Sequence, residues 1–343
     1  MGSPYLCPVS NIGHLLDRYR EHPATAQLVQ AVLEPAARVH LAGLTGAQLA
    51  FAVAATVQPP TQPGRPQGSA VLFIAESKED AAYLLNDLQG ILGEQVVHFF
   101  PDSFKRPAFF DDLNPTQILQ RSETINKVTA PGSTGFAVVT YPEALFEKVV
   151  SPEVLAQSRI EVTTGEKLDM DFVMQVLVEY GFERTDFVYE PGQFSIRGGI
   201  VDLFSYGNEF PYRIELFDDE VESIRTFDPL TQLSKQPIGS VRIVPNLNTR
   251  FRQDQKVPLF RVLPKNAVIW VKDFQFLLDR LQYCFEKAEL FAAKISALDA
   301  ADLREIFRDR AFVYPADVVD DARAHALVFL DKPGAGVLEM LKR

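Results

Sequence analysis

Strand-like and helix-like stretches alternate along the first 150 residues, and this restricts the fold more than any other feature of the chain. Residues 38–42, 70–75, 95–100 and 135–141 are short β-branched or aromatic runs with helical stretches between them. Strands divided by helices are joined through crossovers, which builds a parallel sheet covered by helices. The helix boundaries carry their own chemistry. Ser77, with Asp80 three residues on, can cap one helix that Gly90 would end, and Asn114 can cap another whose first residue is Pro115. Residues 59–68 hold four prolines and two glycines and read as an exposed loop.

The texture changes near residue 151. Asp169 opens an amphipathic helix whose apolar stripe is Phe172, Val173, Val176, Leu177 and Tyr180, and Gly181 ends it. Strand-like runs follow at 193–204, 212–217, 221–227 and 240–244, marking a β-rich unit. The last hundred residues mix one strand, 267–271, with a long helix over about 274–298. A chain of 343 residues accommodates two or three domains, and these changes divide it into 1–150 (α/β), 151–244 (β-rich α+β) and 245–343 (mixed α/β). The overall class is α/β.

Charge and cysteine content narrow the function classes. With a net charge of −11 the chain is poorly suited to neutralise DNA phosphates, so it is expected to have negligible affinity for duplex DNA. Cys7 and Cys284 lie too far apart in sequence for a disulfide framework or zinc knuckle and read as reduced thiols. Residues 1–10 lack the basic start and apolar run of a signal peptide, and no stretch approaches the roughly 18 apolar residues of a membrane span. The expectation is a cytoplasmic protein with no membrane partner, no metal and no cofactor; the five histidines show no ligand spacing.

Two segments have the outline of nucleotide chemistry without its residues. Gly43-Leu44-Thr45-Gly46-Ala47-Gln48-Leu49-Ala50 follows the first strand and opens a helix, where a phosphate loop would stand. A working loop needs a glycine, a lysine for the phosphates and a hydroxyl for Mg²⁺ at its last three places; here they are Gln48, Leu49 and Ala50. The segment is a degenerate phosphate loop or an ordinary tight turn, and in either case it does not hydrolyse ATP. In Val268-Ile269-Trp270-Val271-Lys272-Asp273, Lys272 stands where a metal-binding aspartate would be expected, and Asp273 reads better as the cap of the helix that follows. No catalytic triad is in view.

A longer match is more specific. Tyr189-Glu190-Pro191-Gly192-Gln193-Phe194-Ser195-Ile196-Arg197-Gly198-Gly199-Ile200-Val201-Asp202-Leu203-Phe204 closely resembles the family of UvrB and Mfd, the transcription-repair coupling factor. So does Pro211-Tyr212-Arg213-Ile214-Glu215-Leu216-Phe217-Asp218-Asp219-Glu220-Val221-Glu222-Ser223-Ile224-Arg225-Thr226-Phe227-Asp228. The resemblance is strong over about 160–245 and looser elsewhere. It implies a RecA-like, degenerate phosphate-loop α/β domain (1–150), an inserted UvrA-binding domain (151–244), and a region that completes the first domain (245–343). UvrB has a live phosphate loop and a long DNA-holding β-hairpin; the UvrB-like front part of Mfd has lost both. This chain follows the Mfd pattern, since its loop lacks the lysine and residues 98–116 look too short for that hairpin. The resemblance therefore implies a non-enzymatic, UvrA-recruiting fragment of a longer ATP-dependent translocase. RNA polymerase and DNA would be engaged through the missing C-terminal part, and the remaining domains would be partners in cis. The alternatives are a UvrB-type helicase fragment that binds DNA and ATP, or a scaffold restraining the motor.

The pleat locates the face. In 212–217 the even positions Tyr212, Ile214 and Leu216 suit a core, which leaves Arg213, Glu215 and Phe217 on the other side. Replacing Arg213 or Phe217 is therefore expected to leave the domain folded. Phe194 and Ile196 alternate in the same way with Ser195 and Arg197, and Gly198-Gly199 permits a bulge or a close backbone approach. From pattern alone this could also be a solvated face with Phe217 under a loop. The family resemblance assigns Arg197, Arg213, Glu215 and Phe217 to UvrA contact.

Overall fold

The computed structural model describes residues 12–58, 68–130, 132–157, 160–206, 208, 210–243, 255–294 and 312–342. One of its two six-stranded sheets is parallel throughout, in the order β1 (Arg38–His40), β18 (Ala326–Phe329), β17 (Val268–Val271), β2 (Val71–Ile74), β6 (Ala137–Thr140) and β3 (Val97–Phe99). β2, β6, β17 and β18 are continuous apolar runs because helices cover both faces of the sheet. Two of these strands come from the C-terminal part of the chain and lie between β1 and β2. Residues on both sides of the β-rich segment thus share one hydrophobic core.

The residue pattern shows one strand in that C-terminal part, and the structure adds β18 to the sheet. A four-residue apolar run has too little length to distinguish a strand from a buried helical turn. Ser77, Asn114, Asp169 and Asp273 all cap helices through their side chains, as expected. Gly90 does not end its helix, which runs Lys78–Leu92 and stops at Gly93, where φ is +89°. The last long helix spans Phe274–Ala292. Cys284 is a buried thiol of that helix, and burial pushes its pKa up to about 12. Cys7, residues 59–67 of the proline-rich loop, Val244 and residues 295–298 lie outside the described residues. Residues 98–116 contain a compact hairpin, β4 (Phe104–Arg106) with β5 (Phe109–Leu113). A short antiparallel pair, β7 (Val149–Val150) with β16 (Lys256–Val257), flanks the large core. No described helix is long and apolar enough to cross a membrane.

The second sheet is a meander in the order β14 (Ser234–Ile238), β13 (Glu220–Phe227), β12 (Tyr212–Phe217), β11 (Ile200–Leu203), β10 (Gln193–Arg197) and β9 (Glu183–Arg184). It is antiparallel except where β9 meets β10. Residues 193–204 do not form one strand but fold back at Gly198-Gly199. Gly198 has φ +60°, and a Cβ on Gly199 would sit 2.7 Å from the Leu216 carbonyl oxygen. β14 is missing from the sequence reading because it is a polar edge strand containing Pro237.

One face of this sheet packs against the helix Met170–Glu179 through Val173, Val176 and Leu177, which meet Phe194, Val201, Ile214, Val221 and Ile224. The pair β8 (Ile160–Thr163) and β15 (Ser240–Ile243) adds Val162 and Val241. Phe172 is not part of the apolar stripe; it is 57% exposed. Ile214 sits fully buried at the centre of this core. Replacing Ile214 with Ala is expected to cost ~2–5 kcal/mol in urea unfolding through lost burial and a residual cavity; a loss under ~1 kcal/mol would contradict the packing described.

Candidate functional site

The opposite face of the second sheet carries the polar residues. Strand register lines up Ser195, Asp202, Arg213 and Arg225 across β10 to β13, with Arg197, Ile200, Glu215 and Ser223 in the next row. Asp202 is the pivot. It is 1% exposed, and a carboxylate so buried is tolerated only with strong partners. Arg213 grips it in bidentate fashion, Nε to Oδ1 at 2.7 Å and Nη2 to Oδ2 at 2.9 Å, and Arg197 pairs with Oδ2 from the other side. Hydrogen bonding to Asp202 raises the Arg213 pKa further, while burial works against the rise.

Aromatic rings complete the setting. The Arg213 guanidinium stacks over Phe227 at 4.7 Å and that of Arg197 over Phe187 at 5.0 Å. Arg213 and Arg225 stand directly opposite each other, a repulsive pairing. It is relieved because Asp202 takes the first arginine and Glu215 ion-pairs with the second; Ser223 Oγ also donates to Glu215 at 2.9 Å. Phe217 lies at the far end of β12 and is 73% exposed, so no described loop covers it.

All four expected docking residues therefore occupy one face, though not equivalently. Phe217 stands out in solvent, Arg197 and Glu215 are partly exposed, and the Arg213 side chain is mostly buried. The expectation that Arg213 is dispensable for folding is corrected. Pleat alternation shows that the side chain leaves the core side, but the outer face has a buried acid and a small core of its own, Val188, Phe204 and Phe227. Asp202 and Arg225 were missed as members of the site. A lone aspartate between apolar residues of a strand was the available signal.

Residues 43–50, which read as a degenerate phosphate loop or an ordinary tight turn, run from β1 into the helix Gln48–Val57, with Gly43 and Gly46 at positive φ. Gln48 turns its side chain back into the loop, where Oε1 accepts from Thr45 N at 2.8 Å and Thr45 Oγ at 3.2 Å. A neutral amide oxygen thus occupies a backbone donor. Leu49 packs against the large core and Ala50 is buried within it. A cavity of about 290 Å³ opens beside them, lined by Glu76, Asp80, Asp87 and Lys272 among others. Lys272 Nζ is 2.6 Å from Glu76 Oε2, so its charge is already matched, and that hydrogen bond raises its pKa.

Sequence reading also missed a buried polar cluster after β3. Asp102 accepts from the Tyr141 hydroxyl at 2.7 Å, and Ser103 N donates to Glu147 at 2.7 Å. Arg121 donates to the Pro101 and Ala144 carbonyls. Burial, helped by Glu147, raises the Asp102 pKa to about 6. These bonds tie the start of the β4–β5 hairpin to the sheet.

Comparison with known proteins matches the β-rich unit to one family and most of the chain to longer relatives. Residues 160–248 match the UvrB interaction domain. The chain is 31% identical over 300 residues to the transcription-repair-coupling factor of Bacillus subtilis (strain 168), covering 85% of this chain and 24% of that protein. It is 28% identical over 269 residues to the transcription-repair-coupling factor of Staphylococcus aureus (strain bovine RF122 / ET3-1), covering 76% and 22%. It is 29% identical over 216 residues to UvrABC system protein B of Nitratidesulfovibrio vulgaris (strain DSM 19637 / Miyazaki F), covering 60% and 31%. The resemblance read from residues 189–204 and 211–228 is thus borne out. The chain spans about a quarter of the length of the coupling factors it matches.

The geometry separates two residues that the pleat alone treats alike. Arg213→Glu places a second carboxylate against buried Asp202 and is expected to cost ~3–5 kcal/mol of stability. Phe217→Ala, at an exposed hairpin end, should stay within ~0.5 kcal/mol. Urea denaturation of both variants checks this; equal stability would show that the Asp202–Arg213 pair does not hold the face together.

Proposed function

We propose that this chain is a non-catalytic docking module that recruits UvrA within a transcription-repair-coupling factor. The observation that carries the reading is the outer face of the matched segment, where exposed Phe217 adjoins a ladder of paired arginines and carboxylates. Interface anchors are typically aromatic residues and arginines, and here cross-strand ion pairs hold such groups in place before any partner arrives. The module is residues 151–244. Residues 1–150 and 245–343 form the platform, a degenerate RecA-like domain and the part that completes it. Arg197, Arg213, Glu215 and Phe217 are the contact set, with Arg213 also maintaining the face.

The phosphate-loop geometry supports a role without ATP chemistry. A nucleotide would need a cation and a hydroxyl where Leu49 and Ala50 stand, and it would meet Glu76, Asp80 and Asp87 in the cavity beside them. This weighs against a UvrB-type helicase, which requires that lysine. In the whole protein, on this reading, ATP-driven translocation and the contacts with stalled RNA polymerase and DNA belong to regions outside this chain. UvrA is the partner this part supplies to nucleotide excision repair.

The test is capture of purified UvrA by the immobilised chain without nucleotide or DNA, with Mg-ATP calorimetry on the chain alone. UvrA binding should be saturable, and Phe217→Ala should weaken it at least about thirtyfold, the equivalent of ~2 kcal/mol. Calorimetry should give no binding heat. Wild-type affinity in Phe217→Ala, or saturable micromolar Mg-ATP binding, would contradict the proposal.

A further inference from the structure

Beyond the end of β13 the chain makes a tight turn before β14, and this turn presents two leucines to solvent. Leu230 is 85% and Leu233 68% exposed. The turn is nevertheless closely fixed. Asp228 Oδ1 accepts from Leu230 N and Thr231 N, both at 3.0 Å; Gln232 N donates to the Asp228 carbonyl at 2.8 Å, and Asp228 N to the Leu233 carbonyl at 2.9 Å.

Gln232 anchors the turn to the outer face. Its Nε2 donates to the Val188 carbonyl at 3.1 Å, and its own carbonyl accepts from Arg213 Nη1 at 3.3 Å. Val188 in turn packs on Phe204 and Phe227. The leucine turn is therefore tied to the same arginine that grips Asp202 and curls onto the side of the sheet that carries the charged ladder. Exposed Phe187 and Tyr189 flank Val188 in the neighbouring loop.

We infer that the turn Leu230–Leu233 is a second apolar anchor of the docking face, so that UvrA straddles the charged ladder between Phe217 at one end and the two leucines at the other. The inference rests on the UvrA reading above. Three observations support UvrA as the occupant. The turn lies inside the matched segment 160–248, it is continuous through Arg213 with the proposed contact set, and the two poles fit one footprint. Tyr212 and Phe217 are five steps apart on β12, roughly 17 Å, whereas one side of a standard interface, ~800 Å², is about 30 Å across. Apolar groups fixed before binding lose little conformational freedom on association, which suits a turn locked by four backbone amides.

The experiment is a UvrA titration of the wild-type chain, Phe217→Ala, and the double variant Leu230→Ser/Leu233→Ser, with melting temperature and sedimentation velocity for each. The inference predicts that the double variant melts like wild type but binds UvrA about tenfold or more weakly, and that all three chains sediment as the same species. It is overturned if the double variant keeps wild-type affinity while Phe217→Ala loses it, a result that leaves the UvrA reading standing. It is also overturned if the leucines hold together a dimer of this chain that the double variant breaks without changing UvrA affinity. Absence of UvrA binding by the wild-type chain would overturn the underlying reading itself.

Discussion

Burying a carboxylate in the outer face of a sheet demands compensation, and the β-rich unit is organised around meeting that demand at Asp202. Two arginines converge on it from adjacent strands, and each is also stacked on an aromatic ring. Arg213 then supports the carbonyl of Gln232, which holds the turn 228–233 against the Val188 loop. Removing one partner of such a pair strands the other in a low-dielectric site. One local electrostatic constraint thereby gives this face a definite shape, with charges neutralised inside it and apolar groups left outside.

In the α/β part of the chain the strands are parallel, the loop after β1 has glycines at positive φ, and a helix starts directly behind it. Yet Gln48 turns its own oxygen onto the loop, and Lys272 is paired to Glu76. Two strands from the far side of the β-rich segment lie inside this sheet, so the chain returns to the same core after the β-rich unit.

Much of this could be read from the residues, and what could not has physical causes. Side-chain caps at Ser77, Asn114, Asp169 and Asp273 are local chemistry and were legible, as was the alternation that puts Ile214 inside and Phe217 outside. β18 was missed because four apolar residues carry no period, and β14 because an exposed edge needs no apolar pattern. The role of Arg213 was half legible. Its direction follows from the pleat, but its burial depends on Asp202, eleven residues away, and on loops that fold over the outer face. Such tertiary contacts leave no trace in periodicity. The leucine turn was invisible for the opposite reason, since nothing in its sequence distinguishes an exposed Leu230 from a buried one.

We propose that partner recognition belongs to the outer face of the β-rich sheet and not to the loop 43–50. Amide hydrogen exchange of the chain with and without UvrA tests it directly. The account predicts slowed exchange over residues 213–217 and 228–233, with residues 43–50 unchanged. Protection confined to 43–50, with the outer face exchanging as in the free chain, would contradict it.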